Sequence, residues 1–363
     1  MLKLMKFLRK SAGAILIVIL LLGLQAYTDL SLPTYTSEIV NIGIMRNGIS
    51  TSVPEVLRKT ELDRITLFMS QEEKDTALPH FTSMVKDNYS ADQWADYVKK
   101  YPLLETEELY HFDGENIDLV ADSLALPSTI VYFLEGTNET SVEMKEQILA
   151  NLPSELKQSG ADLFTILVML PADSQLAFSD GLRDKFSAMS DTMLLSSAAT
   201  YIKTEYEAIG IDINQMQINY IINVGLKMIG FALLGMLASI LVTLIASRVA
   251  ARMGRDLRNN VFQKVISFSH KEMDQFSTAS LITRSTNDIQ QVQMLIVMLI
   301  RIVIYAPILA LGGIYKVVQT DTSMSWVLAV GVGSIFILIG TLFVVAMPKF
   351  KIMQKLVDRI NLV

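Results

Sequence analysis

Few residues in this chain could do chemistry, and the most telling are charges set inside apolar runs. Lys227 and Arg301 both lie in such runs. A charge within a membrane-crossing helix must face a cavity or a partner, unless it sits near a helix end and reaches out to the interface. Lys227 is close to the end of its run and suits the second option. Arg301 is deeper, and two roles are open to it: one in a substrate cavity or between helices, the other in a structural pair. Met294 and Met298 precede it by two helical turns and one turn, and together with Met228 and Met236 they offer soft, adaptable lining for an apolar pocket. Packed or lipid-facing methionine is the plainer alternative for all four. Arg284 and Asp288 are four residues apart, the spacing of a surface ion pair on a helix.

Other chemistry is excluded by what the sequence lacks. There is no G-x-x-x-x-G-K-[ST] phosphate loop, so ATP has no site of that kind here. No nucleophile elbow is present. With no cysteine there is no disulfide framework, thiolate metal site or cysteine nucleophile. His80, His111 and His270 are too scattered along the chain to suggest a metal cluster, and nothing points to nucleic acid. The expectation is no catalytic, cofactor-binding or metal residue in this chain. What remains is composition: 51% hydrophobic residues and a mean hydropathy of +0.38 describe an integral membrane protein rather than a soluble one.

The charge is divided. Residues 36–215 hold 30 of the 37 Asp/Glu but only 13 of the 31 Lys/Arg, so this segment carries −17 and the rest of the chain +11. An acidic solvated module is thereby separated from a membrane part with basic flanks. Lys3, Lys6, Arg9 and Lys10 precede the first apolar run, Ala12–Tyr27, with no A-x-A site after it. That favours a retained signal-anchor over a cleaved peptide. By the positive-inside rule the N-terminus is cytoplasmic and the chain beyond about Gly43 is outside. Segments of the acidic module such as VPEVLRKTELDRITLFM, SADQWADYVKKY and GLRDKFSAMSDTMLLSSAATYIKTEYEAIG have helical spacing. The runs Leu124–Leu134 and Leu163–Leu170 are too short to cross a bilayer and read as core helices. Further spans are expected at Met216–Ile245, Val292–Tyr315 (with Pro307 as a kink) and Trp326–Met347. The basic clusters Arg248–Arg258 and Lys349–Arg359 then share one side with the N-terminus.

Between the second and third spans lies a polar interruption, Arg248–Gln293. Val249, Met253, Leu257, Val261, Val265 and Phe268 recur at steps of four and three, one face of a descending helix. Ser269-His270-Lys271-Glu272 has the capping-box form that starts a new helix. A rising helix follows, with Leu281, Asp288, Val292 and Leu295 on one side. At about 1.5 Å per residue the descent from Arg248 to Phe268 covers roughly 30 Å, which carries the turn well below the membrane.

The stretch VFQKVISFSHKEMDQFSTASLITRSTNDIQQVQ resembles the first intracellular loop of exporter-type ABC transporters. PTYTSEIVNIGI and GIDINQMQINYIINVG extend the resemblance to the ends of the first two spans, but not to the insertion between them. The resemblance implies that Ser269, His270, Lys271, Glu272, Met273, Asp274, Gln275 and Phe276 form a coupling helix docked in a nucleotide-binding domain. It also implies a dimer of transporter halves, equal or unequal, and ATP with magnesium acting through the nucleotide-binding domain, not through this chain. Arg301, Met294 and Met298 are the candidate cavity residues. KFKIMQKLVDRINLV begins a second amphipathic descent and stops, so the chain is expected to be a piece of a longer transporter.

The expected fold is therefore an all-α, multi-pass cell-membrane protein with four long transmembrane helices and cytoplasmic stalks. A mostly helical extracellular domain is inserted between the first two. The expected parts are 1–49, 50–205 and 206–363, the last a partial transmembrane domain. The expected function is the permease part of an ATP-driven exporter of an unnamed substrate. Two other designs fit in part: a four-helix permease of the lipoprotein-release or macrolide-efflux type, and a membrane sensor with an outside ligand domain. Neither has a use for deep stalks around Ser269.

Overall fold

The computed structural model describes residues 11–136, 141–143, 145–146, 163–269, 273, 278–320 and 325–360. The chain divides into two compact units, Thr34–Met228 and a second made of Met1–Pro33 with Ile229–Val363. The first helix, α1, spans Ala12–Glu38 and passes into a π turn at Ile39–Ile44. Pro33 lies inside it. Ser31 returns its hydroxyl to the Tyr27 carbonyl at 2.7 Å, and Thr28 does the same to Gln25 at 2.8 Å, so polar side chains in this apolar helix satisfy themselves locally.

The unit Thr34–Met228 holds β1 (Val56–Arg58), α2 (Lys59–Thr66), α3 (Gln71–Ala77), β2 (Phe81–Ser83), α4 (Ala91–Lys100), β3 (Leu109–Phe112), α5 (Ile117–Glu135), α6 (Leu163–Met169), α7 (Ala172–Ser187) and α8 (Asp191–Ile209). The chain is mostly helical, but this unit also contains a three-stranded antiparallel sheet of order β1-β3-β2, which the all-α expectation did not include. The reason is local. VPEVLRKTEL has helical spacing, yet Val56 and Leu57 are both fully buried, and a strand paired through Leu57 with Tyr110 accommodates that. Helix α2 begins only after Arg58, which is extended at φ −67, ψ 146. Ser70 and Ser90 start α3 and α4 with capping boxes closed by Glu73 and Gln93. Gly210, at φ +91, ends α8 in the left-handed conformation that glycine adopts at little cost.

Helix α5 is the centre of this unit. Val120, Leu124, Ile130, Val131 and Leu134 are buried, and α2, α3, α7 and α8 all pack on it. The expected core helix over Leu124–Leu134 is thus longer, at 19 residues, and long and apolar enough to rank among five candidate membrane spans in the described residues, where four were expected. The other four are Ala12–Ile44, Ile213–Ile266, Leu281–Val318 and Ala329–Phe350. Half of the α5 window is buried against this unit, more than in any of the others.

Charged groups are also buried here. Arg58 grips Glu205 through Nε at 3.0 Å and Nη2 at 2.7 Å, and its backbone N–H donates to the same carboxylate at 2.9 Å. Tyr201 donates to Glu61 at 2.8 Å, and Arg64 bridges Glu61 and Glu135 at 2.6 and 2.5 Å. Three carboxylates thus meet two arginines, binding β1 and α2 to α5 and α8. Burial, then the charge of Glu61, pushes the Glu135 carboxyl up to about 7. A carboxyl whose folded-state value is raised lends stability when protonated, and loses it as pH rises through that value. Thermal stability of this unit is expected to fall by roughly 1–3 kcal/mol between pH 5 and 8. Glu135→Gln should flatten that slope and raise Tm at pH 8. Fluorescence of Trp94 during melting, with Trp326→Phe as background, is the measurement; an unchanged slope in Glu135→Gln would exclude Glu135 as its source.

The second unit contains most of α9 (Ile213–Ile266), followed by α10 (Thr278–Thr283), a π turn at Arg284–Asp288, α11 (Ile289–Met298), a second π turn at Leu299–Val303, α12 (Tyr305–Thr320) and α13 (Ser325–Ile360). Its core joins Val18 and Leu22 of α1, Val242, Ala246, Val249, Ala250 and Met253 of α9, and Ile296 and Ile300 from the rising segment. By contrast Phe336, Ile337 and Val344 of α13 are 71–76% exposed, a face suited to lipid.

Candidate functional site

Helix α9 is 54 residues long, about 80 Å at 1.5 Å per residue, against a hydrocarbon layer of roughly 30 Å. Its sequence is apolar from Met228 to Ala246 and then carries Arg248, Arg252, Arg255 and Arg258 without interrupting the helix. Over this polar end Val249 and Met253 are buried and Leu257, Val261, Val265 and Phe268 half-buried, the stripe that the spacing predicts. The helix stops at Ile266, where Ser267 turns its hydroxyl back onto the Lys264 carbonyl at 2.7 Å.

Of the expected coupling helix, Ser269 and Met273 are described: the Met273 N–H donates to the Ser269 carbonyl at 2.9 Å, a helical i to i−4 bond, and Met273 is exposed. His270, Lys271, Glu272, Asp274, Gln275 and Phe276 lie outside the described residues.

On the rising side the buried face is not the side that carries Asp288 and Leu295. Asp288 and Leu295 are exposed, while their successors Ile289 and Ile296 are buried. The π turn at Arg284–Asp288 explains this, because it inserts one extra residue and rotates everything after it. Ser285 and Thr286 within it bond back to the carbonyls of Leu281 and Ile282, a competition that loosens the regular ladder. A second π turn, Leu299–Val303, carries Arg301. Pro307 follows it and has no N–H to offer the Val303 carbonyl, so the ladder opens at that turn.

A cavity of about 650 Å³ lies where α9 meets this segment, lined by Ser247, Ala250, Ala251, Gln293, Met294, Val297, Met298, Arg301 and Ile302. Arg301, Met294 and Met298 therefore come together, whereas Met228 and Met236 are not among the lining residues. Gln293 enters because Gly254 leaves room: a Cβ at that glycine would meet Gln293 Nε2 at 1.9 Å. The walls are apolar and soft, with one cation and one amide to orient an occupant.

The other unit has a cavity of about 420 Å³ bordered by Glu55, His111, Asp113 and Tyr206. Burial opposes ionisation of Glu55, but Lys100 and Tyr101, both donating to it, hold its carboxyl below the usual range; burial lowers His111. Nearby, His80 Nδ1 lies 2.8 Å from Asp113, and ligand-capable atoms of His80, Asp113 and Glu115 fall within 4.8 Å of one another. The spacing of the histidines gave no sign of this group, because pairing of β2 with β3 assembles it.

The described helices define a multi-pass membrane protein with a spanning helix that overruns the bilayer and a cavity beside its Ser247–Ala251 stretch. Residues 189–360 match the family model of the ABC transporter transmembrane region. The chain is similar to an uncharacterised ABC transporter ATP-binding protein of Mycobacterium tuberculosis, 35% identical over 141 residues that cover 39% of this chain and 24% of the relative. A Bacillus subtilis protein of the same description is 33% identical over 137 residues, covering 38% and 24%. A putative ABC transporter ATP-binding protein of Mycoplasma pneumoniae is 32% identical over 130 residues, covering 36% and 21%. The matched stretch thus spans about a quarter of the length of these relatives.

An open cavity lined by Arg301 should admit water. In this cysteine-free chain, Met298→Cys should react with water-soluble thiosulfonates in open vesicles, and Val344→Cys on the exposed face of α13 should not. Relative to their rates with a free thiol, the anionic reagent should outpace the cationic one several-fold at position 298, and Arg301→Gln should remove the preference. Equal rates at 298 and 344 would contradict the cavity.

Proposed function

We propose that this chain is the permease part of an ATP-driven ABC exporter, coupling hydrolysis in a nucleotide-binding domain to efflux of a substrate across the cell membrane. The single observation that carries it is the continuation of α9 as a helix for some 20 residues beyond its apolar part, with a helical bond resuming at Met273. Polar stalks of that length are of use only if something binds their tip. The ATP-binding descriptions of the relatives support a nucleotide-binding partner. In this reading four helices cross the membrane, α1, α9, the rising segment through α12, and α13. Helix α5, with its buried charged neighbours, stays in the acidic module outside. The N-terminus is cytoplasmic, two halves form the transporter, and ATP and magnesium belong to the nucleotide-binding domain. A four-helix permease or a sensor has no role for the stalks.

Within this reading Ser269–Phe276 is the docking segment. Met273 and Phe276 are three residues apart on one face and would supply the buried anchor, with Lys271 and Asp274 at the rim. In the chain joined to its nucleotide-binding domain and reconstituted in vesicles, Phe276→Ala should abolish substrate-stimulated ATPase activity and transport while leaving nucleotide binding intact. Lys271→Ala should do little, since exposed charges contribute about 0–1 kcal/mol. Full stimulation and transport in Phe276→Ala would refute the anchor.

Sidedness has its own check. Single cysteines at positions 115 and 180 should be labelled on intact cells by a reagent that cannot cross membranes, and one at 272 should be protected. The reverse pattern would invert the topology and remove the exporter reading.

A further inference from the structure

One end of the three-stranded sheet gathers an imidazole and two carboxylates. His80 closes the short helical turn Leu78–His80 just before β2, and Asp113 follows directly on β3. Register sets them side by side: Phe81 pairs with Phe112, and the Asp113 N–H donates to the His80 carbonyl at 3.0 Å. Their side chains meet as well, with His80 Nδ1 2.8 Å from Asp113 Oδ2. The imidazole packs edge-on against Phe112, 6.3 Å between ring centres, and only 17% of its side chain is exposed. Gly114, at φ +84, then turns the chain so that the Glu115 N–H donates to Asp113 Oδ1 at 2.8 Å. One ligand-capable atom from each of the three residues thereby falls within 4.8 Å of the others.

A hydrogen-bonded His–Asp pair is enough to close the end of two paired strands, but two features exceed that need. The first is Glu115, a second carboxylate beside the first. Among the described residues neither forms an ion pair with a lysine or arginine, and like charges so placed repel unless a cation lies between them. The second is on the far side of the ring, where the Asn116 amide lies 3.5 Å from Nε2, the place at which a ligating imidazole ordinarily has its outer partner. The spacing is also suitable. A nitrogen and oxygens at about 2.0–2.2 Å from one zinc ion stand roughly 3.3–3.6 Å apart, a span bracketed by the separations seen here. Imidazole with carboxylates suits zinc-class ions, whereas calcium and magnesium take oxygen ligands.

We propose that His80, Asp113 and Glu115 bind a divalent transition-metal ion of the zinc class, with Asn116 orienting the imidazole. Zinc on Nδ1 moves the ring proton to Nε2, where the Asn116 amide accepts it by turning its oxygen inward, and both carboxylates stay charged. Asp113 also borders the 420 Å³ cavity that Glu55 and His111 line, so the ion stands at that cavity's rim. Three protein ligands leave a coordination position for water or for a donor atom of an occupant. The site goes beyond the transport reading and does not depend on it.

The test uses the full chain in detergent, freed of any affinity tag and stripped of metal by a chelator. Zinc chloride is titrated in and binding is read by calorimetry, with Co²⁺ as a visible substitute. Wild type should bind one zinc ion per chain at micromolar concentration or below, and millimolar calcium or magnesium should not displace it. His80→Gln, Asp113→Asn and Glu115→Gln should each weaken binding about a hundredfold, since each removes one of three ligands. Asp87→Asn, which removes another exposed carboxylate of the same unit, should leave binding unchanged. The Co²⁺ absorption band should shift in His80→Gln. Melting followed by Trp94 in the metal-free protein reports whether each variant folds, and exposed Glu115 keeps the test open if another variant does not. No stoichiometric zinc binding by wild type would overturn the proposal. So would unchanged binding in any of the three folded variants, equal loss in Asp87→Asn, displacement by calcium or magnesium, or a Co²⁺ band indifferent to His80.

Discussion

A helix that enters a bilayer has to remain a helix, because no water is there to take up its N–H and C=O groups. The second unit follows from that constraint. Helix α9 does not end where its apolar residues end but runs on to Ile266, carrying its ladder from lipid into water. Where the ladder is relaxed, it is relaxed into π turns, and one of these turns holds Arg301 at the cavity. The side chains that loosen it are short hydroxyls and a proline, so the backbone deviations have identifiable causes in Ser285, Thr286 and Pro307.

The unit Thr34–Met228 is governed by the opposite problem, how to bury charge. Glu61 and Glu205 are almost fully enclosed, and they are tolerated because Arg58, Arg64 and Tyr201 satisfy them with geometry fixed from three different elements. Removing one partner from such a group usually costs several kcal/mol, since a charge is left buried and alone. Its own apolar residues make α5 a core element here, and Glu135 ties its end to the network. Length and hydropathy put α5 with the membrane spans; its packing accounts for it as the centre of a compact unit.

Much of the membrane part was legible because it depends on local periodicity. The stripe from Val249 to Phe268 could be read directly, as could the apolar runs and the basic residues that bound them. The face of the rising helix could not, because a single π turn moved burial from Asp288 and Leu295 to Ile289 and Ile296. Strand β1 was hidden for a similar reason: adjacent buried Val56 and Leu57 mean nothing until β3 supplies a partner from 53 residues away. The cavity residues Arg301, Met294 and Met298 were nominated for their chemistry, and Gln293 and Gly254 were missed because their contribution is one of fit across two helices.

The account depends most on α9 leaving the membrane as an unbroken stalk. Spin labels placed one at a time from Ser247 to Ile266 would report collisions with oxygen, enriched in lipid, and with a nickel chelate, confined to water. The account predicts that nickel accessibility rises at Arg248 and stays high to Ile266, with a helical period whose minima fall on Val249, Met253, Leu257, Val261 and Val265. Oxygen-dominated collisions through Ile266, or accessibility without that period, would contradict it.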